Sequence, residues 1–123
     1  MPAATPRQTE PAEGVLSPDQ ARQLASLVSI GGQSGDTVLG LSAVRRTRHL
    51  AFVFAGTEVA DNTWQELVGR RGGGAQVLRV ADMAALTRGL GRADVSVVAV
   101  KAGSLADGIA ARLVAADFHP DTR

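Results

Sequence analysis

Apolar positions along this chain fall into blocks of two kinds. Leu50 to Ala55 is apolar at every position. A run of that length predicts a strand covered on both faces, in a sheet flanked by helices. Ala75 to Val80 and Val95 to Val100 predict two further strands. Between them the apolar spacing is helical. Ala60, Trp64, Leu67 and Val68 predict a helix over 59–69. Met83, Leu86 and Leu90 predict a short helix capped by Asp82, and Leu105, Ile109 and Leu113 predict the closing helix. Strand and helix thus alternate from Leu50 to Leu113, the order of an α/β domain.

Two helices are expected before that block. The first has a clear start: Ser17 can cap, Pro18 suits the first helical position, and Gln20 stands three residues on, as in a capping box. Ala21, Leu24, Leu27 and Val28 form its inward stripe, and Gly31-Gly32 is expected to stop it. The second is expected from Asp36 to about Arg46, with Val38, Leu41 and Val44 inward. Gly40 in its middle costs about 1 kcal/mol relative to alanine.

Residues 1–16 are rich in Pro, Ala, Thr and Glu without periodicity, and are read as a disordered tail. Residues 17–118 form one α/β domain, and 119–123 a frayed end. A length of 123 residues fits one domain, which buries roughly two-thirds of its unfolded surface. The N-terminus lacks an apolar core segment and a basic start, so no secretory signal is read there. No apolar run approaches the ~18 residues a membrane span needs. A cytoplasmic protein with no membrane partner is expected.

Composition removes some chemistry. The chain has no cysteine, which excludes disulfides, thiolate metal sites and thiol catalysis. His49 and His119 are the two histidines, and neither has a ligand companion at helical spacing. No metal or other cofactor is expected. The net charge is +1, so affinity for a polyanion must come from a local patch. Lys101 is the sole lysine. Arginine suits phosphate and base stacking better than lysine does.

Several segments invite a chemical reading. Arg70-Arg71-Gly72-Gly73-Gly74 is Gly-rich, but a helix precedes it, a strand follows, and the Lys-Ser/Thr of a phosphate loop is absent. It is expected to be a connection whose two arginines could touch RNA phosphates. Gly89-Leu90-Gly91 closes a helix, whereas a dinucleotide fingerprint opens one. Ser96 and Ser104 sit in no nucleophile elbow. Asp61, Glu66 and Asp82 are placed as first-turn, exposed-face and cap residues, which leaves no paired acid/base chemistry. Arg45, Arg46, Arg48 and His49 cluster where the second helix meets the apolar strand. Cations favour a helix C-terminus by a few tenths of a kcal/mol each, about 0.3 or more. The same cluster would also suit an anionic partner. Trp64 is expected in the core rather than on a base.

Three stretches carry a resemblance: AVRRTRHLAFVFAG, TEVADNTWQEL and LTRGLGRADVSVVAVKAGSLADGIAARL. In this order and spacing they resemble the ribosomal-protein family that binds kink-turn RNA (the L-seven-Ae group), and most closely its short bacterial ribosome-associated members. The match spans about Leu24 to Leu113. The resemblance implies a three-layer α/β/α sandwich around a four-stranded mixed sheet, with the first strand near Gly32 to Ser34. It implies a non-enzymatic, ribosome-associated protein that binds structured RNA, with ribosome or translation proteins as possible partners. The implied RNA surface has three parts: the start of helix two, the loop after the central strand, and the loop before the last strand. Here these fall on Gly35-Asp36-Thr37, Gly56-Thr57-Glu58 and Leu90-Gly91-Arg92-Ala93, with Arg45, Arg46, Arg48 and Arg92 on phosphates.

The family's contact motif at helix two is Gly-x-Asn-Glu-x-x-Lys. Aligned on Gly35 this chain offers Asp36, Thr37, Val38 and Leu41; aligned on Gly40 it offers Leu41, Ser42, Ala43 and Arg46. Neither register keeps the Asn-Glu pair, which can hydrogen-bond guanine edges as Val or Ala cannot. The alternative reading is therefore a protein-interaction module on the same fold that has lost RNA binding. A small α/β enzyme acting on a phosphorylated ligand would need polar groups converging in a pocket at strand ends.

Overall fold

A computed structural model describes residues 15–69, 74–91 and 94–115. Five strands and five helices alternate: β1 (Val15–Leu16), α1 (Pro18–Ser34), β2 (Thr37–Leu39), α2 (Leu41–Arg46), β3 (Leu50–Gly56), α3 (Asp61–Val68), β4 (Gln76–Val80), α4 (Met83–Thr87), β5 (Val97–Lys101) and α5 (Ser104–Ala115). A 3-10 turn over Arg88–Leu90 extends α4. The strands form one mixed sheet in the order β1-β4-β3-β5-β2. β1, β4 and β3 run parallel, while β5 is antiparallel to β3 and to β2. The α/β sandwich is as expected, but the sheet has five strands, not four.

The unbroken apolar run became the middle strand. Phe52 and Phe54 face α1, α4 and α5, packing with Leu24, Val28, Leu86 and Ile109. Val53 and Ala55 face α2 and α3, packing with Val44 and Leu67. Side chains alternate across a strand, so each face of β3 feeds a separate core. A register shift between Leu50 and Phe52 breaks the alternation and turns Leu50 to the α2/α3 side.

The extra strand comes from the expected tail. Val15 and Leu16 pair with Arg79 and Val80, and Leu16 is fully buried. Two residues carry no periodicity, so pattern could not separate them from the tail. The rest of the tail, residues 1–14, and the frayed end, 119–123, lie outside the described residues.

α1 begins as read. Ser17 Oγ accepts from the Gln20 N–H at 3.2 Å and Gln20 Oε1 accepts from the Ser17 N–H at 2.9 Å. Its end differs from expectation: the helix passes through Gly31-Gly32 to Ser34, and Gly35 caps it at φ 87°. Gly31 has another task. It is buried where α1 crosses β2, and a side chain there would overlap the Thr37 hydroxyl and a Leu105 methyl. The resemblance's strand at Gly32 to Ser34 is thus the last turn of α1. The strand lies three residues later, at Thr37–Leu39.

The expected second helix is two elements. Gly40 has φ 91° and ψ 150°, which no helix accommodates, so β2 precedes it and α2 follows. Three residues were too few to show a period-2 signal. α3 starts two residues later than expected, and Ala60 is its exposed N-cap, not an inward residue.

Substitution at the two adjacent glycines separates close approach from helix propensity. Gly31→Ala should destabilise by about 1–3 kcal/mol, because backbone and Thr37 must move apart. Gly32→Ala meets only a Leu90 methyl at the end of a flexible side chain. It should be neutral, or stabilising by up to about 1 kcal/mol. Urea unfolding of both variants measures the difference.

Candidate nucleic-acid interface

Strand direction decides which loops meet. Parallel pairing puts Gly56 beside Val80, at the C-terminal ends of β3 and β4. Antiparallel pairing puts the start of β5 at the same end, where the Gly56 N–H donates to the Ser96 carbonyl at 2.9 Å. β2 reverses once more, so its end arrives there too, and the Gly40 N–H donates to the Val97 carbonyl at 2.9 Å. The start of α2, the loop after β3 and the segment before β5 therefore converge.

They surround an open depression of about 370 Å³, lined by Gly40, Leu41, Val59, Ala60, Thr63 and residues 94–97. Its walls are apolar at Leu41, Val59, Val95 and Val97. Its polar side chains are the Thr63 and Ser96 hydroxyls and the Asp94 carboxylate. Among the described lining residues there is no cation.

The loop after β3 is held from two sides. The Glu58 carboxylate accepts from Ser96 Oγ at 3.0 Å and folds over Gly56, where a side chain would displace it. On the other side, Arg79 Nη1 donates to the carbonyls of Gly56 and Thr57 at 3.2 and 3.3 Å. The same guanidinium lies 4.2 Å from the centre of the Trp64 ring. Trp64 is half-buried against the α2/α3 core, so it serves both packing and this cation. Arg79 was not singled out from sequence. Its signal was a lone cation in an apolar strand, which needs a partner to be buried at all.

The expected site residues divide between the two ends of the sheet. Gly56 and Thr57 stand at the loop end. Gly35, Asp36 and Thr37 stand at the other: the Asp36 carbonyl accepts from the Lys101 N–H at 2.9 Å, and Thr37 pairs with Val100. Thr37 is buried and donates to the Val28 carbonyl at 3.0 Å, so its hydroxyl is spent inside the protein. The Asp36 carboxylate accepts from Ser34 Oγ at 2.8 Å. Of the two sequence registers, the one on Gly40 places the start of helix two beside the other loops. Leu90 is half-buried against the α1 side and Gly91 caps the 3-10 turn at φ 72°. Arg92 and Ala93 lie outside the described residues, as do Arg70 and Arg71.

The arginine cluster is also divided. Arg45 forms a two-point ion pair with Glu66 of α3, at 2.7 and 2.8 Å. The hydrogen bond and charge of Glu66 raise its pKa above the ordinary arginine value. Arg46, the last residue of α2, and Arg48 beyond its end are exposed. They lie on the side of the sheet where β3 starts, away from Gly56.

No family model matches the chain, and no curated protein matches it. Among solved structures the chain is similar to one described as a protein with unknown function from Bacillus halodurans C. The identity is 19% and the TM-score 0.61, over 76% of this chain and 98% of that one. That likeness is one of fold.

Trp64 is the sole tryptophan, so its fluorescence reports on the Arg79 contact. Arg79→Ala should shift Trp64 emission and cost about 1–3 kcal/mol, since two loop carbonyls lose their donor and the ring its cation. Emission spectra and urea midpoints test this together. An unchanged spectrum would count against the contact.

Proposed function

We propose that this chain is a non-enzymatic RNA-binding protein that holds a sharply bent RNA at the loop end of its sheet. The observation that carries the reading is the convergence of three sequence-distant segments around one depression. They are the start of helix two, the loop after the central strand and the segment before the last strand. The kink-turn-binding resemblance names the same three elements, but sets them on Gly35–Thr37, Gly56–Glu58 and Leu90–Ala93; of these Gly56–Glu58 stands at this end and Gly35–Thr37 at the other. Gly40 and Ala60 are small, so a nucleic-acid backbone can come close to the protein backbone there. Structured RNA is recognised largely by shape and by contacts to sugar and phosphate.

The Asn-Glu pair has no counterpart at the start of α2, where Leu41 and Ser42 follow Gly40. Base-edge contacts would fall instead to Asp94, Ser96 and Thr63, whose oxygens line the depression. A ribosomal RNA in the cytoplasm is the target class that fits this reading. A second reading, a protein-interaction module on the same fold, draws on the acidic character of this end. Glu58, Asp61 and Asp94 surround the depression, and Arg79, the cation near it among the described residues, is committed to Trp64 and the loop.

Fluorescence anisotropy against a labelled kink-turn RNA and a plain duplex separates the two. The RNA reading expects binding to the kink-turn at least about tenfold tighter than to the duplex, a difference of about 1.4 kcal/mol. Equal binding to both RNAs would overturn it in favour of the second reading. Ala60→Asp sharpens the test. Ala60 caps α3 without a side-chain bond. The introduced carboxylate can accept from the first turn of α3 and stabilise the fold by about 1 kcal/mol. It also places a negative charge in the depression. The variant should melt higher than the parent and bind RNA at least about tenfold more weakly.

A further inference from the structure

Charges among the described residues are spread unevenly along β3, with Asp36 and Asp107 the acids beside its start and Arg79 the cation at its other end. The loop end carries Glu58, Asp61 and Asp94, whereas the opposite end carries Arg46, Arg48, His49 and Lys101. Pairing brings the latter together: Leu50 sits opposite Lys101, and the His49 carbonyl accepts from the Ala102 N–H at 2.8 Å. Two of the described acids near this end are bonded, and a third, Asp107, stands on α5, across the sheet from α2. Asp36 is bonded by Ser34, and Glu66 is bonded at two points by Arg45. Among the described residues, Arg46 and Arg48 are exposed and have no carboxylate partner.

We propose that the Arg46–Arg48 end is a second contact surface, which takes the phosphate backbone of an RNA arm leaving the depression. The inference rests on the RNA reading above. The route is set by α2. This helix starts at the depression with Leu41 and ends at Arg46, about 7.5 Å further at ~1.5 Å per residue. Its exposed positions are Ser42, Arg45 and Arg46, and Arg48 follows beyond its end. An arm running along α2 therefore passes from a depression with no cation among its described lining residues to the exposed Arg46 and Arg48. Guanidinium groups hold phosphate oxygens by two-point hydrogen bonds and remain charged at every relevant pH. Such contacts position an RNA without reading its bases, since phosphates carry no sequence information. Shape selection would then belong to the depression, and salt-dependent affinity to the arginines.

Two kink-turn RNAs test this, sharing one core and differing in the length of the flanking stem. The parent protein should bind the long-stem RNA more tightly and with a steeper salt dependence. Each lost phosphate contact lowers the slope of log affinity against log salt by roughly 0.7–0.9. Arg46→Glu with Arg48→Glu should bind both RNAs alike, with the slope on the long stem reduced by about 1.5. It should still prefer either kink-turn to a plain duplex. Arg46→Gln with Arg48→Gln should show the same direction with a smaller effect, and guards against misfolding of the first variant. If the charge-reversed protein keeps the parent's preference for the long stem, the proposal is wrong, and an acidic protein surface becomes the fitting partner for the patch. If the parent selects the kink-turn but binds both stem lengths equally, this inference fails while the RNA reading stands. If the parent fails to select the kink-turn over a duplex, both fall.

Discussion

A strand with no polar face must be covered twice, and β3 is that strand. Phe52 and Phe54 bury on one side, Val53 and Ala55 on the other, and every one of them is at most 3% exposed. Each fully buried side chain of this size contributes roughly 1.5–3 kcal/mol relative to exposure. A sheet with a helix layer on one side alone would leave half of that surface in water. The helices on both sides, the central place of β3 in a five-strand order, and the division into two cores all follow from that one stretch.

Strand direction then places the chemistry. β3 and β4 connect through α3 and run parallel, while β5 and β2 each reverse. This brings Gly40, Gly56 and Ser96 to one end of the sheet, although they are far apart in sequence. It leaves Thr37, Arg48 and Lys101 at the other. The loop end is braced by Glu58 on Ser96 and by Arg79 on two carbonyls, so its shape does not depend on an occupant. The other end is marked by the exposed Arg46 and Arg48.

Sequence patterning found what rests on repetition. The double-sided strand, the capping box at Ser17, the Asp82 cap and the spacing of Ile109 and Leu113 were all legible, because each is a local signal of several residues. The elements it missed are short or set by neighbours. β1 has two residues and β2 three, and both exist because partners in the sheet accept them. Gly31-Gly32 read as a stop because glycine often ends helices, whereas Gly31 is there for the Thr37 contact. Of the expected site residues, Gly56 and Thr57 stand at the loop end, but none of those described lines the depression. The pattern leaves the start of helix two open between Gly35 and Gly40, because nothing local shows that Gly40 breaks the segment in two. Ala60, Thr63 and Asp94 were not seen as lining residues, since only the fold brings them together.

RNA is proposed to meet this protein where the three loops converge, and backbone amide shifts of labelled protein, titrated with a short-stem kink-turn RNA, locate the contact. The largest perturbations are expected at Gly40, Leu41, Gly56, Val59, Ala60, Thr63 and Ser96, with Gly35 and Thr37 nearly unmoved. Perturbation centred on Gly35 to Thr37, or the absence of any at the depression under saturating RNA, would contradict it.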